Sequence, residues 1–165
     1  MRRKIRLAAT LLLCGIAAGA LAHGSATGIV RERMDGMSAM AKAMKSIAPI
    51  VKGETAFDAA AVASGAETLV GHSGDEITSK FPEGSDGMPS EATEEIWTDW
   101  ERFETLAHQL ARYASALARS AGADAEGLVV DAHVQQVAEM PPKEIFGMIG
   151  KTCAACHESY RQKLD

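Results

Sequence analysis

The sequence has 165 residues, with 17 basic and 22 acidic side chains and a formal net charge of −5. Four of the basic residues and none of the acidic ones lie in the first 22 positions, which leaves 13 basic against 22 acidic residues, a net charge of about −9, in the remainder. This charge argues against nucleic-acid binding, which requires lysine and arginine to neutralise phosphates. It favours solubility and a basic docking partner.

Residues 1–22 have the pattern of a secretory signal sequence. Basic residues crowd the first six positions, an apolar run extends from Leu7 to Ala22, and small residues at positions 20 and 22 suit a cleavage site. The run is short and rich in small residues for a membrane span, although an uncleaved anchor is the alternative. Cleavage would leave residues 23–165, enough for one domain, without stable membrane insertion.

The next two predicted helices follow from apolar residues at helical spacing. The first extends from Ser25 to Val51, with Ser25 or Thr27 as its cap and Gly53 beyond its end. Its apolar stripe consists of Ile29, Val30, Met34, Met37, Met40, Ala41, Met44, Ile47, Ala48 and Val51. The second is predicted to begin after Thr55, which with Asp58 resembles a capping box, and to extend as far as Ile77.

The second half of the chain contains two more long helices. Composition predicts a loop at residues 81–90, and Thr93 would cap a third helix that stops near Gly122. A short extra helix is predicted at residues 128–140, inside a connection at 123–142. The last helix begins at the prolines 141 and 142 and carries a stripe at helical spacing, formed by Ile145, Ile149, Cys153, Cys156 and Tyr160. The fold class is therefore all-α, an antiparallel four-helix bundle.

The last helix also contains the motif Cys-x-x-Cys-His, as Cys153, Cys156 and His157. This spacing is typical of covalent haem attachment, in which the thiols add to the two haem vinyl groups and the histidine binds the iron. A zinc site needs four ligands, and a redox dithiol is expected near a βαβ unit, which the sequence does not show. The third cysteine, Cys14, lies in the predicted signal. The motif therefore predicts one haem c, and export with haem attachment indicates a bacterial periplasm.

Motifs along the chain, in order, resemble those of class II cytochromes c, the cytochrome c′ family. These are the segments from Arg31 to Met37, Pro49 to Gly53, Glu95 to Trp97, and Cys156 to Arg161. In the first segment Arg33 matches the family's arginine better than Arg31, because Met37 follows it by four residues and Gly53 falls at the expected distance beyond. The family carries its haem motif near the C-terminus of a four-helix bundle. The connection at 123–142 departs from the family's usual shorter link.

The resemblance implies roles for several residues. His157 would be the proximal iron ligand, and Arg33 would pair with a haem propionate, although a solvated helix charge is the alternative. Met37 stands at the family's distal position and is the candidate sixth ligand. Met34, Met40 and Met44 are weaker candidates, and a methionine stripe can also be core filling.

The predicted function depends on whether Met37 binds the haem iron as its sixth ligand. With His157 and Met37 as ligands, the protein would carry single electrons to and from periplasmic redox partner proteins, as a monomer or homodimer and without catalytic activity. If Met37 only packs, the iron would be five-coordinate and high-spin and would bind nitric oxide or carbon monoxide. His72, His108 and His133 are predicted to be surface groups, and Arg161 is expected near the proximal haem face or at the surface.

Overall fold

The computed structural model describes residues 26–124 and 126–163, and the regular structure of these residues is helical apart from one isolated antiparallel bridge. The described helices comprise four long and three short ones. In chain order they are α1 (Gly28–Val51), α2 (Ala59–Val70), α3 (Asp75–Thr78), α4 (Glu95–Thr98), α5 (Trp100–Ser120), α6 (Ala132–Ala138) and α7 (Pro142–Tyr160). The predictions for the signal sequence 1–22, for Cys14 and for a cap at Ser25 lie outside the described residues.

The four long helices form the predicted bundle, which confirms the all-α fold class. Helix α5 packs against both α2 and α7, and α1 packs against α2. By comparison, α1 and α7 touch each other very little. None of the described helices is long and apolar enough to cross a lipid bilayer.

Helix α1 buries a narrower stripe than the sequence predicts. Its buried residues are Arg33, Gly36, Met40, Ala43, Ile47 and Val51. Met34, Met37 and Met44 are half-buried, and Ala41 is exposed. The predicted stripe therefore combines two faces of the helix: one enters the core, and the other carries Met34 and Met37. Helix α1 ends as predicted, because Gly53 follows in the left-handed conformation, at φ +77°.

The predicted start and end of the second helix are wrong. Asp58, not Thr55, is the N-cap of α2, and its carboxylate accepts a hydrogen bond from the Ala61 amide at 3.0 Å. The helix ends at Val70 rather than at Ile77. Two glycines follow, and the chain turns before the short helix α3.

The third predicted helix is interrupted. Thr93 is not its N-cap, since α4 begins after Glu94. Asp99 then leaves the helical conformation, at φ −126° and ψ 44°, and α5 begins at Trp100. The Asp99 carboxylate accepts a hydrogen bond from the Tyr160 hydroxyl at 2.9 Å. The break therefore lies where this segment contacts the end of α7.

The extra connection at 123–142 contains a helix, but α6 is shorter than predicted. Asp131 caps it by accepting from the Val134 amide at 2.8 Å, and it also pairs with Arg112 of α5 at 3.1 Å. Val134 and Val137 are buried. The connection therefore lies against α5 and α7.

Helices α1 and α2 lie close together at Gly65, and this contact predicts how a larger residue there would change the stability. A Cβ atom at Gly65 would lie 2.6 Å from Cγ2 of Ile47, a β-branched and fully buried side chain that cannot easily move. We expect Gly65→Ala to lower the free energy of unfolding by about 1–2 kcal/mol, since overpacking costs roughly 1–3 kcal/mol and the better helix propensity of alanine offsets up to about 1 kcal/mol. Urea denaturation followed by circular dichroism measures this.

Gly147→Ala is the matched control, because nothing lies within 4 Å of a Cβ atom at that helical position. It should raise the stability by roughly 0.5–1 kcal/mol. Equal stabilisation by both substitutions would contradict the close approach at Gly65.

Candidate haem site

A cavity of about 350 Å³ lies between α1 and α7, which touch each other very little. Helix α1, the segment before α4, helix α5 and the end of α7 all contribute to its wall. Its lining residues are Arg33, Met34, Met37, Ser38, Ala41, Phe81, Ser90, Glu91, Ala92, Ile96, Phe103, Cys156, His157, Tyr160 and Arg161. The volume is within the range of small-molecule and cofactor sites, about 300–1,000 Å³.

Helix α7 brings the Cys-x-x-Cys-His motif to this cavity. Ile145 and Ile149 are fully buried and hold the first half of α7 in the core. Cys156 and His157 line the cavity, while Cys153 is half-buried one turn earlier and does not line it. The predicted stripe on this helix is therefore confirmed, although the two thiols are less buried than the isoleucines.

The two thiols lack the electrostatics of a redox dithiol. Burial raises the pKa of Cys153, and burial together with the neighbouring Cys153 raises the pKa of Cys156 to about 11. Redox-active Cys-x-x-Cys pairs instead have a thiol whose pKa is lowered. Both thiols are therefore protonated at neutral pH, which disfavours the dithiol alternative.

His157 lies at the rim of the cavity, next to two charged side chains. Although the residue is exposed at the rim, partial burial of its imidazole lowers the pKa; the positive charge of Arg161 also lowers it, and Glu91 opposes both effects. The neutral form is thereby favoured, and only a neutral imidazole has a free nitrogen lone pair for a metal ion.

Two of the four candidate methionines of α1 line the cavity. Met34 and Met37 are half-buried in its wall, one turn apart. Met40 belongs to the buried core, and Met44 packs against that core. The structure therefore leaves Met37 and Met34 as candidates for a ligand from α1 and places Met40 and Met44 away from the cavity.

Arg33 enters the interior, whereas Arg31 does not. Arg31 is exposed and pairs with Asp35 at 2.8 Å. Arg33 is only 5% exposed and lies over the ring of Phe81, 4.6 Å from its centroid. It donates to the Ser85 hydroxyl at 2.8 Å and the Lys80 carbonyl at 3.3 Å, and also to the Ser85 carbonyl and the Ser90 hydroxyl.

These partners of Arg33 are all uncharged. Among the described residues no carboxylate reaches its guanidinium at ion-pair distance, and Asp86 acts on it only from further away. Burial lowers the pKa of this guanidinium. A buried cation without an anionic partner is unfavourable by several kcal/mol, so this part of the cavity suits a carboxylate.

Aromatic side chains form another part of the wall, which the sequence did not predict as a unit. Phe103 packs edge-on against Phe81 and Tyr160, with ring centroids 5.0 and 5.5 Å away. Trp97 donates a hydrogen bond from its indole nitrogen to the Phe81 carbonyl at 2.9 Å and so attaches the loop to α4. Apolar spacing places Trp97 and Phe103 on one helical face and Tyr160 on another, whereas Phe81 lies in the loop predicted at residues 81–90, so periodicity alone does not bring the four together.

Three other histidines lie outside the cavity wall. His133 is exposed as predicted, whereas His72 and His108 are half-buried. The His72 imidazole lies against Gly36, where a Cβ atom would be 3.3 Å from Nδ1, and His108 approaches Asp75 at 3.4 Å. Within the described residues no three histidine, cysteine or acidic side chains are grouped to hold a metal ion.

The residues around the cavity fit a haem. Two thiols and a neutral imidazole stand at the spacing that covalent attachment requires, thioether side chains line the same space, and aromatic rings provide an apolar wall. The buried guanidinium without a carboxylate suits a propionate.

Comparison with known proteins agrees with this geometry. Residues 28–161 match the cytochrome C′ family. The chain belongs to this family. Its members, the class II cytochromes c, are haem proteins, which agrees with the fit of the candidate site to a haem.

Individual relatives match most of the chain. Cytochrome c-556 of Agrobacterium fabrum is 31% identical over 163 residues, which are 99% of this chain and 98% of the relative. The solved cytochrome c′ of Shewanella frigidimarina superposes with a TM-score of 0.65 over 82% of this chain and 94% of its own, at 24% identity. A carbon monoxide-bound variant of cytochrome c′ from Alcaligenes xylosoxidans gives a TM-score of 0.63 at 27% identity, with the same coverage.

The Tyr160–Asp99 hydrogen bond predicts a loss of stability at alkaline pH. Burial, and then the hydrogen bond to Asp99, raise the pKa of Tyr160 to about 12. The folded state thus favours the protonated phenol, whose stabilising contribution is complete below the unfolded pKa of about 10 and is lost as the pH rises through about 12. Urea-unfolding free energies should show this loss in the wild type, and the Tyr160→Phe variant should lack it.

Asp99→Asn tests the cause, since it removes the carboxylate charge and keeps an acceptor. Because Asp99 raises the pKa of Tyr160, this variant should lose the stabilising contribution of the phenol at a lower pH than the wild type. An unchanged alkaline profile in Tyr160→Phe would show that another group is responsible.

Proposed function

We propose that this protein carries single electrons in the periplasm on one haem, attached covalently through Cys153 and Cys156, with His157 and Met37 as axial ligands. The supporting observation is that α7 presents Cys156 and His157, and α1 presents Met37, to one cavity of suitable size. Bound haem iron supplies reversible one-electron chemistry. The contribution of the chain is to hold, orient and shield this group.

The thiols need no oxidant for attachment. Cys153 and Cys156 would hold the haem by addition of each S–H bond across one vinyl double bond, with the sulfur and the hydrogen going to its two carbons, and no other reactant would be consumed. The raised pKa values of Cys153 and Cys156 keep them protonated and poorly reactive towards disulfide formation. The pair is thereby preserved for the addition.

Met37 is the favoured sixth ligand. A thioether opposite a histidine raises the reduction potential, which suits an electron carrier. Met37 follows Arg33 by one helical turn, and both side chains line the cavity. The half-burial of Met37 is consistent with a side chain that faces a space rather than the packed core.

Arg33 is proposed to bind a haem propionate. The partners of its buried guanidinium are neutral oxygens and an aromatic ring. A propionate would supply the missing negative charge through a charge-assisted hydrogen bond. The same guanidinium connects α1 to the loop at residues 80–90, so propionate binding and loop position are linked.

The alternative function is binding of nitric oxide or carbon monoxide at a five-coordinate iron. The carbon monoxide-bound relative favours it, because that protein has the same fold and 27% identity. In this case Met37 would pack in the wall without ligating. The two functions differ in the iron's coordination number.

The proposed location and partners follow from charge and family. Cytochrome c′ relatives are periplasmic proteins, and residues 1–22 have the pattern of an export signal. The acidic net charge after that segment favours a basic redox partner. A monomer and a homodimer are both compatible with this function.

Covalent attachment can be tested by mass. Protein from a host with cytochrome c maturation should carry the mass of one haem after denaturation, because thioether bonds survive unfolding. The Cys153→Ser/Cys156→Ser variant should lose it, while each single variant should keep a haem on one thioether and shift the pyridine haemochrome band. A colourless wild type with two alkylatable thiols would contradict the haem site.

The sixth ligand can be tested by spectroscopy of Met37→Ala, with Met34→Ala as the matched control one turn away on the cavity wall. The wild type should be low-spin with a weak far-red sulfur-to-iron band in the ferric state. Met37→Ala should lose this band, become high-spin and bind carbon monoxide promptly when reduced, and Met34→Ala should keep it.

A high-spin wild type that is unchanged by Met37→Ala would instead support the gas-binding function. Loss of the band in Met34→Ala alone would assign the ligand to Met34.

A further inference from the structure

The end of α7 is joined to the segment that precedes α4. The Thr93 amide donates to the Tyr160 carbonyl at 3.1 Å, and the Gln162 amide donates to the Glu91 carbonyl at 2.8 Å. These bonds accompany the isolated bridge between Ala92 and Arg161. The backbone next to the haem motif is therefore held on one side of the cavity.

An ion pair crosses the same junction. The Arg161 Nη2 atom lies 2.6 Å from Glu91 Oε2, and its Nε atom donates to the same oxygen at 2.7 Å. The Glu91 side chain is 33% exposed and the Arg161 side chain 48% exposed. Both residues line the cavity together with His157.

Both charges of the pair lie in the same cavity wall as His157. The charges have opposite sign and are 2.6 Å apart, so the carboxylate offsets part of the field of the guanidinium in the cavity. Local net charge and solvent exposure are among the factors that determine the reduction potential of a metal centre.

We propose that Glu91 is a positioning residue for Arg161: it holds the guanidinium at the cavity edge and neutralises it, so that this positive charge does not raise the reduction potential of the iron bound by His157. The inference rests on the proposed haem site, but not on the identity of the sixth ligand. Sequence spacing gives no indication of Glu91, because 70 residues separate it from Arg161.

Equilibrium redox titration of the haem-loaded protein tests the proposal. Glu91→Gln should raise the midpoint potential, since an unneutralised guanidinium favours the less positive ferrous state. Arg161→Gln should lower it, and Glu91→Gln/Arg161→Gln should return it close to the wild-type value. Glu91→Asp keeps the charge and should stay near the wild type. The shifts should shrink at high salt, because both side chains are partly exposed.

Arg112→Gln is the matched control, because the Arg112–Asp131 pair has side-chain exposures of 50% and 37% and does not line the cavity. It should leave the potential unchanged. An unchanged midpoint potential in Glu91→Gln would overturn the proposal. Changes of the same sign in the midpoint potentials of Glu91→Gln and Arg161→Gln would also overturn it. Mass spectrometry and the absorption spectrum of each variant distinguish this outcome from a failure of the proposed haem site. If the haem site is wrong, the protein carries no covalently bound haem.

Discussion

The helical repeat of α7 is the constraint on which the site depends. With 3.6 residues per turn, side chains three and four positions apart share one face of a helix. Ile145, Ile149 and Tyr160 are buried on this face, and the two motif cysteines lie between them. His157 follows Cys156 directly and lies at the rim. The packing of the two isoleucines thus determines where the motif meets the cavity.

On α1 a single buried guanidinium connects three parts of the molecule. Arg33 belongs to the helix, binds the loop through Ser85 and Ser90, and lines the cavity. The serine partners are neutral, so the loop satisfies the hydrogen-bonding capacity of the guanidinium without cancelling its charge. Loop order and the affinity of the cavity for a carboxylate therefore depend on the same side chain.

Local signals were sufficient to predict the fold class and the haem motif. Apolar periodicity identified the long helices, and the spacing of Cys153, Cys156 and His157 indicated haem attachment, in agreement with the family. The choice of Arg33 over Arg31 came from family resemblance, and the structure shows Arg33 inside and Arg31 outside. The role of Met37 stays a prediction, because lining a cavity does not establish a bond.

The errors arose where tertiary contacts override local preference. The break at Asp99 coincides with a hydrogen bond from Tyr160, and these residues are 61 positions apart. Glu91 was not identified because its partner, Arg161, lies 70 positions away along the chain. The apolar stripe predicted on α1 combined residues from two faces of the helix. Periodicity does not distinguish a side chain that enters a core from one that faces a cavity.

The position of the cavity between α1 and α7 has a consequence for assembly. Among the described helices these are the first and the last to be synthesised, whereas α2 and α5 form a contact that is much more local in sequence. Contacts between distant segments form late, because closing a long loop costs entropy. Helices α1, α2 and α5 can therefore associate first, and the pocket for the prosthetic group is completed only when α7 packs against α5.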